Sequence, residues 1–245
     1  MIKTIIIMKR ITISLALLIC AIFFVLSCNS NKKTDDQEGE NQESIENVEG
    51  EEGEAQDGKE QVENKLAFNP DSVAAEPIFD IVTSMGTIRI KLFSDTPKHR
   101  DNFVRLASQR FYDGILFHRV INGFMIQAGD PVTKRGDVNP SVFGRTDAGY
   151  KLPAEILPEH THIKGALAAA REGDRANPEK KSSSSQFYLV QNPDACAQLN
   201  GSYTVYGQTI GGMEIIDAIA AVKVSDRDCP LTPVKIISVN LVEEK

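Results

Sequence analysis

Apolar residues alternate with polar ones across residues 78–83 and again across 87–93, and Ser84-Met85-Gly86 between them has the composition of a tight turn. A period of two buries one face of each segment, so the pair is predicted to form a hairpin. The period changes after Thr96-Pro97, where Phe103, Leu106 and Ala107 recur at helical spacing up to the turn-rich Phe111-Tyr112-Asp113-Gly114. Proline at the first helical position is favourable, because its missing N–H would be unpaired there anyway. Short strand-like runs follow at 116–121, 125–127, 166–170, 187–191 and 204–208, most of them separated by Gly or Pro. A second helix is predicted over 212–222, with Met213, Ile216, Ile219 and Ala220 on one face, and a closing strand over 234–242.

Seven or eight short strands with only two helices predict a mainly β fold rather than a doubly wound sheet. The arrangement expected is a closed antiparallel barrel of eight strands, capped by the two amphipathic helices. The connections over 130–151 and 172–185 carry no apolar period, and loops that long in a compact domain usually serve function.

The pattern before residue 71 is of another kind. Lys9 and Arg10 precede an apolar run over 11–26, which ends at Ser27-Cys28; Met8 offers an alternative start to the same segment. Charged, apolar and small-residue regions in that order read as an export signal over 1–27, although Lys32 and Lys33 would also suit a retained anchor helix. The surroundings of Cys28 resemble a bacterial lipobox, which implies a lipidated cysteine and an extracytoplasmic protein anchored to a bacterial membrane, with the outer membrane or cell surface favoured. From 29 to 64 thirteen acidic side chains face only Lys32, Lys33 and Lys59, so the stretch 28–70 is expected to be a disordered, extended acidic linker. Residues 65–245, which include the remaining domain at 71–245, carry equal numbers of acidic and basic side chains. Nothing in it suggests a nucleic-acid partner, and a monomer is expected.

The densest chemistry lies in Phe117-His118-Arg119-Val120-Ile121-Asn122-Gly123-Phe124-Met125-Ile126-Gln127-Ala128-Gly129-Asp130. Gly165-Ala166-Leu167-Ala168-Ala169-Ala170, Ser185-Gln186-Phe187-Tyr188, Leu199-Asn200-Gly201 and Val205-Tyr206-Gly207 follow in that order. These blocks together resemble the cyclophilins, the family of peptidyl-prolyl cis-trans isomerases, over about residues 77–243. The resemblance implies a cyclophilin-like barrel, proline-containing polypeptides as substrates and no cofactor. It also implies Arg119, Phe124 and Gln127 as catalytic residues, with His118, Met125, Ala170, Arg171, Gln186, Phe187, Leu199 and Tyr203 binding substrate. Three positions depart from the common pattern. Gln198 replaces a frequent tryptophan, so high-affinity cyclosporin binding is not implied; Tyr203 replaces histidine; and Arg171 replaces asparagine ahead of a lengthened 172–184 segment.

The residues themselves suit that chemistry. Rotation about an X-Pro bond meets a barrier of about 18 to 20 kcal/mol, and no nucleophile or metal is needed to lower it. What is needed is an apolar socket for the ring and a donor at the imide nitrogen, whose lone pair sustains the planar bond. Arg119 is a rigid, permanently charged donor, and Gln127 has both a donor and an acceptor with which to orient it. On residue types alone Arg119 reads equally as a solvated strand residue, and Phe124, Met125 and Phe187 as core. A proline-peptide binding module or a surface interaction protein with little turnover is the alternative function.

His160 and His162 lack a third ligand and read as a surface pair, so no metal site is expected. Of the four cysteines, Cys20 lies in the signal. The positions of Cys196 and Cys229 in the family fold imply a possible disulfide at the groove rim.

Overall fold

A computed structural model describes residues 66–243. The predicted signal peptide, Cys28 and nearly all of the acidic linker lie outside the described residues.

The predicted hairpin is β1 (Ile78–Thr83) and β2 (Gly86–Leu92), paired antiparallel from Ile78–Lys91 to Thr83–Gly86. Helix α1 (Pro97–Ser108) follows. It ends earlier than its periodicity suggests, because Arg110 takes a left-handed conformation and the chain turns so that Tyr112 enters the core. Thr96 supplies no side-chain cap. Instead the Glu155 carboxylate accepts from the backbone N–H groups of Lys98 and His99, both at 3.0 Å, and meets His99 Nδ1 at 2.6 Å. Negative charge at a helix N-terminus is favourable both for the dipole and for the unpaired N–H groups.

The strands β3 (Arg119–Ile121), β4 (Met125–Ala128), β6 (Ala166–Ala169), β8 (Phe187–Val190), β9 (Val205–Gly211) and β10 (Ile236–Leu241) complete an eight-stranded antiparallel sheet. Its order is β10-β1-β2-β9-β6-β8-β4-β3. The sheet curls round as expected, but it is a half-barrel rather than the closed barrel anticipated: no ladder joins β3 to β10. The seam is spanned by the preceding segment, where Phe117 N–H donates to Val234 O at 2.9 Å and Ile236 N–H to Ile115 O at 2.8 Å. Because 115–117 pairs with one strand and 119–121 with another, the single predicted strand over 116–121 divides. The free edge of β3 is covered by a turn in which Asp228 O accepts from Val120 N–H at 2.8 Å.

Short β5 (Lys151–Leu152) and β7 (Ser182–Ser183) form a separate ladder from the two long loops, and a four-residue helix α2 (Pro193–Cys196) follows β8. Helix α3 (Met213–Ala220) buries Ile216, Ile219 and Ala220. Together with Phe103, Leu106 and Ala107 of α1 these residues join the barrel core around Phe79, Ile81, Ile90, Ile126, Leu189 and Ile236.

The sheet has a second apolar layer on its outer face. Met125, Ala166, Ala168, Ala170, Tyr188, Val190, Cys196 and Val205 form it, with Phe124, Leu199 and Tyr203 at its border. Strands β6 and β8 are therefore buried on both faces, which explains why neither shows alternation.

Candidate active site

Strand register builds the site. Arg119 pairs with Gln127, Gln127 with Tyr188, Tyr188 with Ala168 and Ala168 with Val205. Register partners project from the same face, so these side chains form one row across five strands. Val120, Ile126 and Leu189, one residue along, point into the barrel instead.

A cavity of about 120 Å³ lies on the outer layer, lined by Arg119, Phe124, Met125, Gln127, Ala170, Arg171, Tyr188, Leu199 and Tyr203. Met125 and Tyr188 make an apolar floor, and the Arg119 side chain, 44% exposed, stands at the edge. Its Nε lies 3.8 Å from the Asp228 carboxylate, a loose contact between two exposed groups. Gln127 Nε2 donates to Gln186 Oε1 at 2.9 Å, and Gln186 Nε2 donates to Thr146 O at 2.6 Å. This chain holds the Gln127 amide in one orientation beside Arg119.

Phe124 is fixed through its backbone. Its carbonyl accepts from the N–H groups of Gln191 and Asn192, both at 3.0 Å, while Gly123 N–H donates to Gln191 Oε1 at 2.9 Å. Behind the row, Gly129 has φ 101°, and a Cβ there would stand 2.1 Å from Ser185 O. Only glycine permits the approach that seats Gln186 next to Gln127.

Arg171 forms the opposite wall. Its side chain is 3% exposed, with the guanidinium 4.3 Å over the Tyr203 ring. Nε donates to Ser202 O at 2.8 Å, one terminal nitrogen to Glu172 O at 2.9 Å, and the other reaches Asp174 at 2.7 Å. The arginine thus joins the lengthened 172–184 segment to the loop that carries Tyr203. A second hollow, about 320 Å³, shares Gln127, Ala170 and Arg171 with the first and continues past Gly144, Arg145, Asp147, Lys151 and Glu172.

A larger hollow of about 640 Å³ lies between the segment around Pro70–Ala75 and α1. Its cations are already engaged, Arg100 with the carbonyls of Ala75 and Ser94 and Arg105 with Asn102 and Tyr150, so no set of unpaired donors converges there.

Eight of the residues named from the sequence, Arg119, Phe124, Met125, Gln127, Ala170, Arg171, Leu199 and Tyr203, line the one cavity. Phe187 does not: it is fully buried in the barrel, edge-on to Phe103 and Tyr112. Tyr188, the next residue, lines the cavity in its place, since neighbours on a strand project to opposite faces. Gln186 lines the adjoining hollow and acts on Gln127.

His118 is also not at the cavity surface. It is 5% exposed behind the row, near the Gly144 backbone, and neither ring nitrogen has a hydrogen-bond partner among the described residues. Burial is the main cause that lowers its pKa to about 4, partly opposed by nearby Asp130, so the ring is neutral. Asp130 itself is fully buried and accepts from the N–H groups of Val132, Gly144 and Arg145 and from the Thr146 hydroxyl, which shapes the loop around His118.

The disulfide implied between Cys196 and Cys229 is absent; neither sulfur is bonded to another among the described residues. Each is directed to a local partner. Cys196 sits fully buried in the outer apolar layer with Sγ 3.4 Å from Phe124 O, whereas Cys229 lies on the turn that covers β3, with Sγ towards Pro230 O. Burial pushes the Cys196 thiol up to about 11.

Nor are the two histidines a surface pair. His160 stacks on Phe93 with ring centres 4.2 Å apart and meets Asp95 at 2.8 Å, while His162 is 2% exposed. No cluster able to hold a metal ion occurs among the described residues, and no helix among them is long and apolar enough to cross a membrane.

Known proteins place this geometry. The sequence profile of the family "Cyclophilin type peptidyl-prolyl cis-trans isomerase/CLD" matches residues 78–241. The chain is 35% identical over 174 residues to "Peptidyl-prolyl cis-trans isomerase-like 1" of Aspergillus fumigatus, covering 70% of this chain and 98% of that one. It is 35% identical over 161 residues to "Peptidyl-prolyl cis-trans isomerase ppi1" of Schizosaccharomyces pombe, covering 64% and 94%. Among solved structures, a cyclophilin-type isomerase of Cryptosporidium parvum superimposes with a TM-score of 0.60 at 28% identity, over 69% of this chain and 99% of that one. A second structure of that protein, determined in the presence of the dipeptide Ala-Pro, gives 0.58 at 28% identity over 68% and 99%. The chain belongs to the cyclophilin-type peptidyl-prolyl cis-trans isomerase family. It is an enzyme that interconverts the cis and trans forms of X-Pro peptide bonds.

Proposed function

We propose that isomerisation takes place in the cavity between Arg119 and Tyr203, with the proline ring on Met125 and Tyr188 and the Arg119 guanidinium donating to the imide nitrogen. The observation that carries this reading is the cross-strand row, which sets a cation beside an apolar floor. A hydrogen bond to that nitrogen draws on the lone pair that otherwise conjugates with the carbonyl. The C–N bond loses double-bond character and its rotation barrier falls. Gln127, held by Gln186, keeps the guanidinium or the peptide in register, and Phe124 and Leu199 exclude water. No proton is transferred in net, so a neutral, buried His118 is compatible with turnover. An isomerisation assay with a chromogenic proline peptide, run against Arg119→Ala, tests the assignment; turnover equal to the parent removes it.

We further propose that the substrates are exported polypeptides, met by an enzyme tethered through lipid on Cys28. Support comes from the order of Lys9-Arg10, apolar run and cysteine, followed by a charged linker suited to holding a domain off a bilayer. A Cys28→Ser variant is expected to leave the membrane fraction or to stay unprocessed. A serine variant that sediments with membranes at mature size rules out the anchor, and protease shaving of intact cells decides whether the domain is displayed outside.

A further inference from the structure

Both ring nitrogens of His162 are engaged. Nδ1 lies 2.7 Å from Asn200 Oδ1 and Nε2 lies 2.8 Å from the Tyr188 hydroxyl. The tautomer follows from the partners. Asn200 Oδ1 also accepts from the backbone N–H of His162 at 2.9 Å, so Nδ1 carries the ring proton and Nε2 accepts from Tyr188. Burial lowers the pKa of the imidazole and keeps it in this neutral form. The Tyr188 and His162 rings lie 9° from parallel, and Tyr203 stands edge-on to both, at 80° and 87°.

Tyr188 is the cavity floor on β8, whereas Asn200 lies between Leu199 and Tyr203, the two wall residues of the next loop. One imidazole therefore ties floor to wall from behind, without reaching the cavity itself. We propose that His162 is a positioning residue for the isomerase reaction: by holding the Tyr188 hydroxyl and the Asn200 amide it fixes the width of the socket that receives the proline ring. The proposal rests on the cavity being that socket. Its chemistry requires an acceptor at Nε2 and a donor at Nδ1, and without the acceptor the Tyr188 ring can tilt and Leu199 and Tyr203 can move away from it.

The test is a double-mutant cycle on the isomerase, with KM and kcat measured separately for Tyr188→Phe, His162→Leu and the pair. Tyr188→Phe keeps the ring and removes only the hydroxyl. Each single change is expected to raise KM about fivefold with kcat little altered, the scale of one lost hydrogen bond. The double variant is expected to be no worse than His162→Leu alone, because the link that Tyr188→Phe removes is already broken there. Should His162→Leu fail to fold, His162→Gln takes its place in the cycle. Tyr188→Phe with the parent KM, or effects that simply add, overturns the role of His162. Arg119→Ala is measured alongside: if it stays active the socket reading itself falls, whereas an inactive Arg119→Ala beside a parent-like Tyr188→Phe removes only the role of His162.

Discussion

Arg119 and Gln127 are register partners across β3 and β4, so their side chains leave the sheet on the same face and at the same height. Strand pairing thus sets the face from which the guanidinium extends, beside a neighbour that is itself hydrogen-bonded to Gln186. Arg119→Ala is expected to lower kcat/KM on the order of 100-fold, the usual loss for one preorganised donor, with an unchanged melting temperature. Arg119→Lys should recover only part of this, since a flexible ammonium lacks the planar fork. The isomerisation assay and a thermal melt check both statements.

Arg171 is expected to act differently. Arg171→Ala removes the contacts to Ser202, Glu172 and Asp174 and uncovers one face of Tyr203. A stability loss of about 2 kcal/mol is expected from buried, charge-assisted bonds. KM should rise more than kcat falls, because a wall loosens while the donor remains. Denaturant unfolding and steady-state kinetics measure the two effects.

Stability should also depend on pH through His118. Its folded pKa is lowered from 6.5 to about 4, so between these values the unfolded chain binds a proton that the native protein does not. Nothing is contributed above pH 6.5, and stability falls as the pH drops towards about 4, by about 3 kcal/mol when this group is taken alone. Burial shifts His162 in the same direction, which steepens the same acid limb. His118→Gln should flatten that limb by about the His118 share; an identical pH profile of unfolding free energy in the variant would contradict it.

Much of the cavity lining is legible in the sequence. The 117–130 block placed Arg119, Phe124, Met125 and Gln127 together because sequence neighbours on a hairpin are spatial neighbours. Phe187 and Tyr188 were harder to assign. On β8 both faces are apolar, so no alternation marks which aromatic side chain points outward, and an error of one residue moves a side chain through the sheet. The burial of His118 and His162 could not be read either, since it depends on the 140–147 and 199–203 loops folding over them. The cysteine pairing does not hold: Cys196 packs into the outer apolar layer and Cys229 stays on the turn that covers β3.

That outcome gives a simple chemical check. With no disulfide among the described residues, adding a reductant should leave the melting temperature unchanged. Under native conditions an alkylating reagent should modify partly exposed Cys229 well before fully buried Cys196. A reductant-induced drop in melting temperature would point back to a bridge.

The barrel core and the socket floor are two sides of the same strands, β4, β6 and β8. The floor therefore has no independent way to open. Hydrogen exchange at 125–128 and 187–190 should follow global unfolding, and activity should persist on heating until the whole domain melts. Variation at no cost to the core is then left to the exposed part of the rim, residues 172–181, whereas residues 182–184, Asn200 and Tyr203 are tied into the packing and a substitution on the floor would unsettle the fold itself.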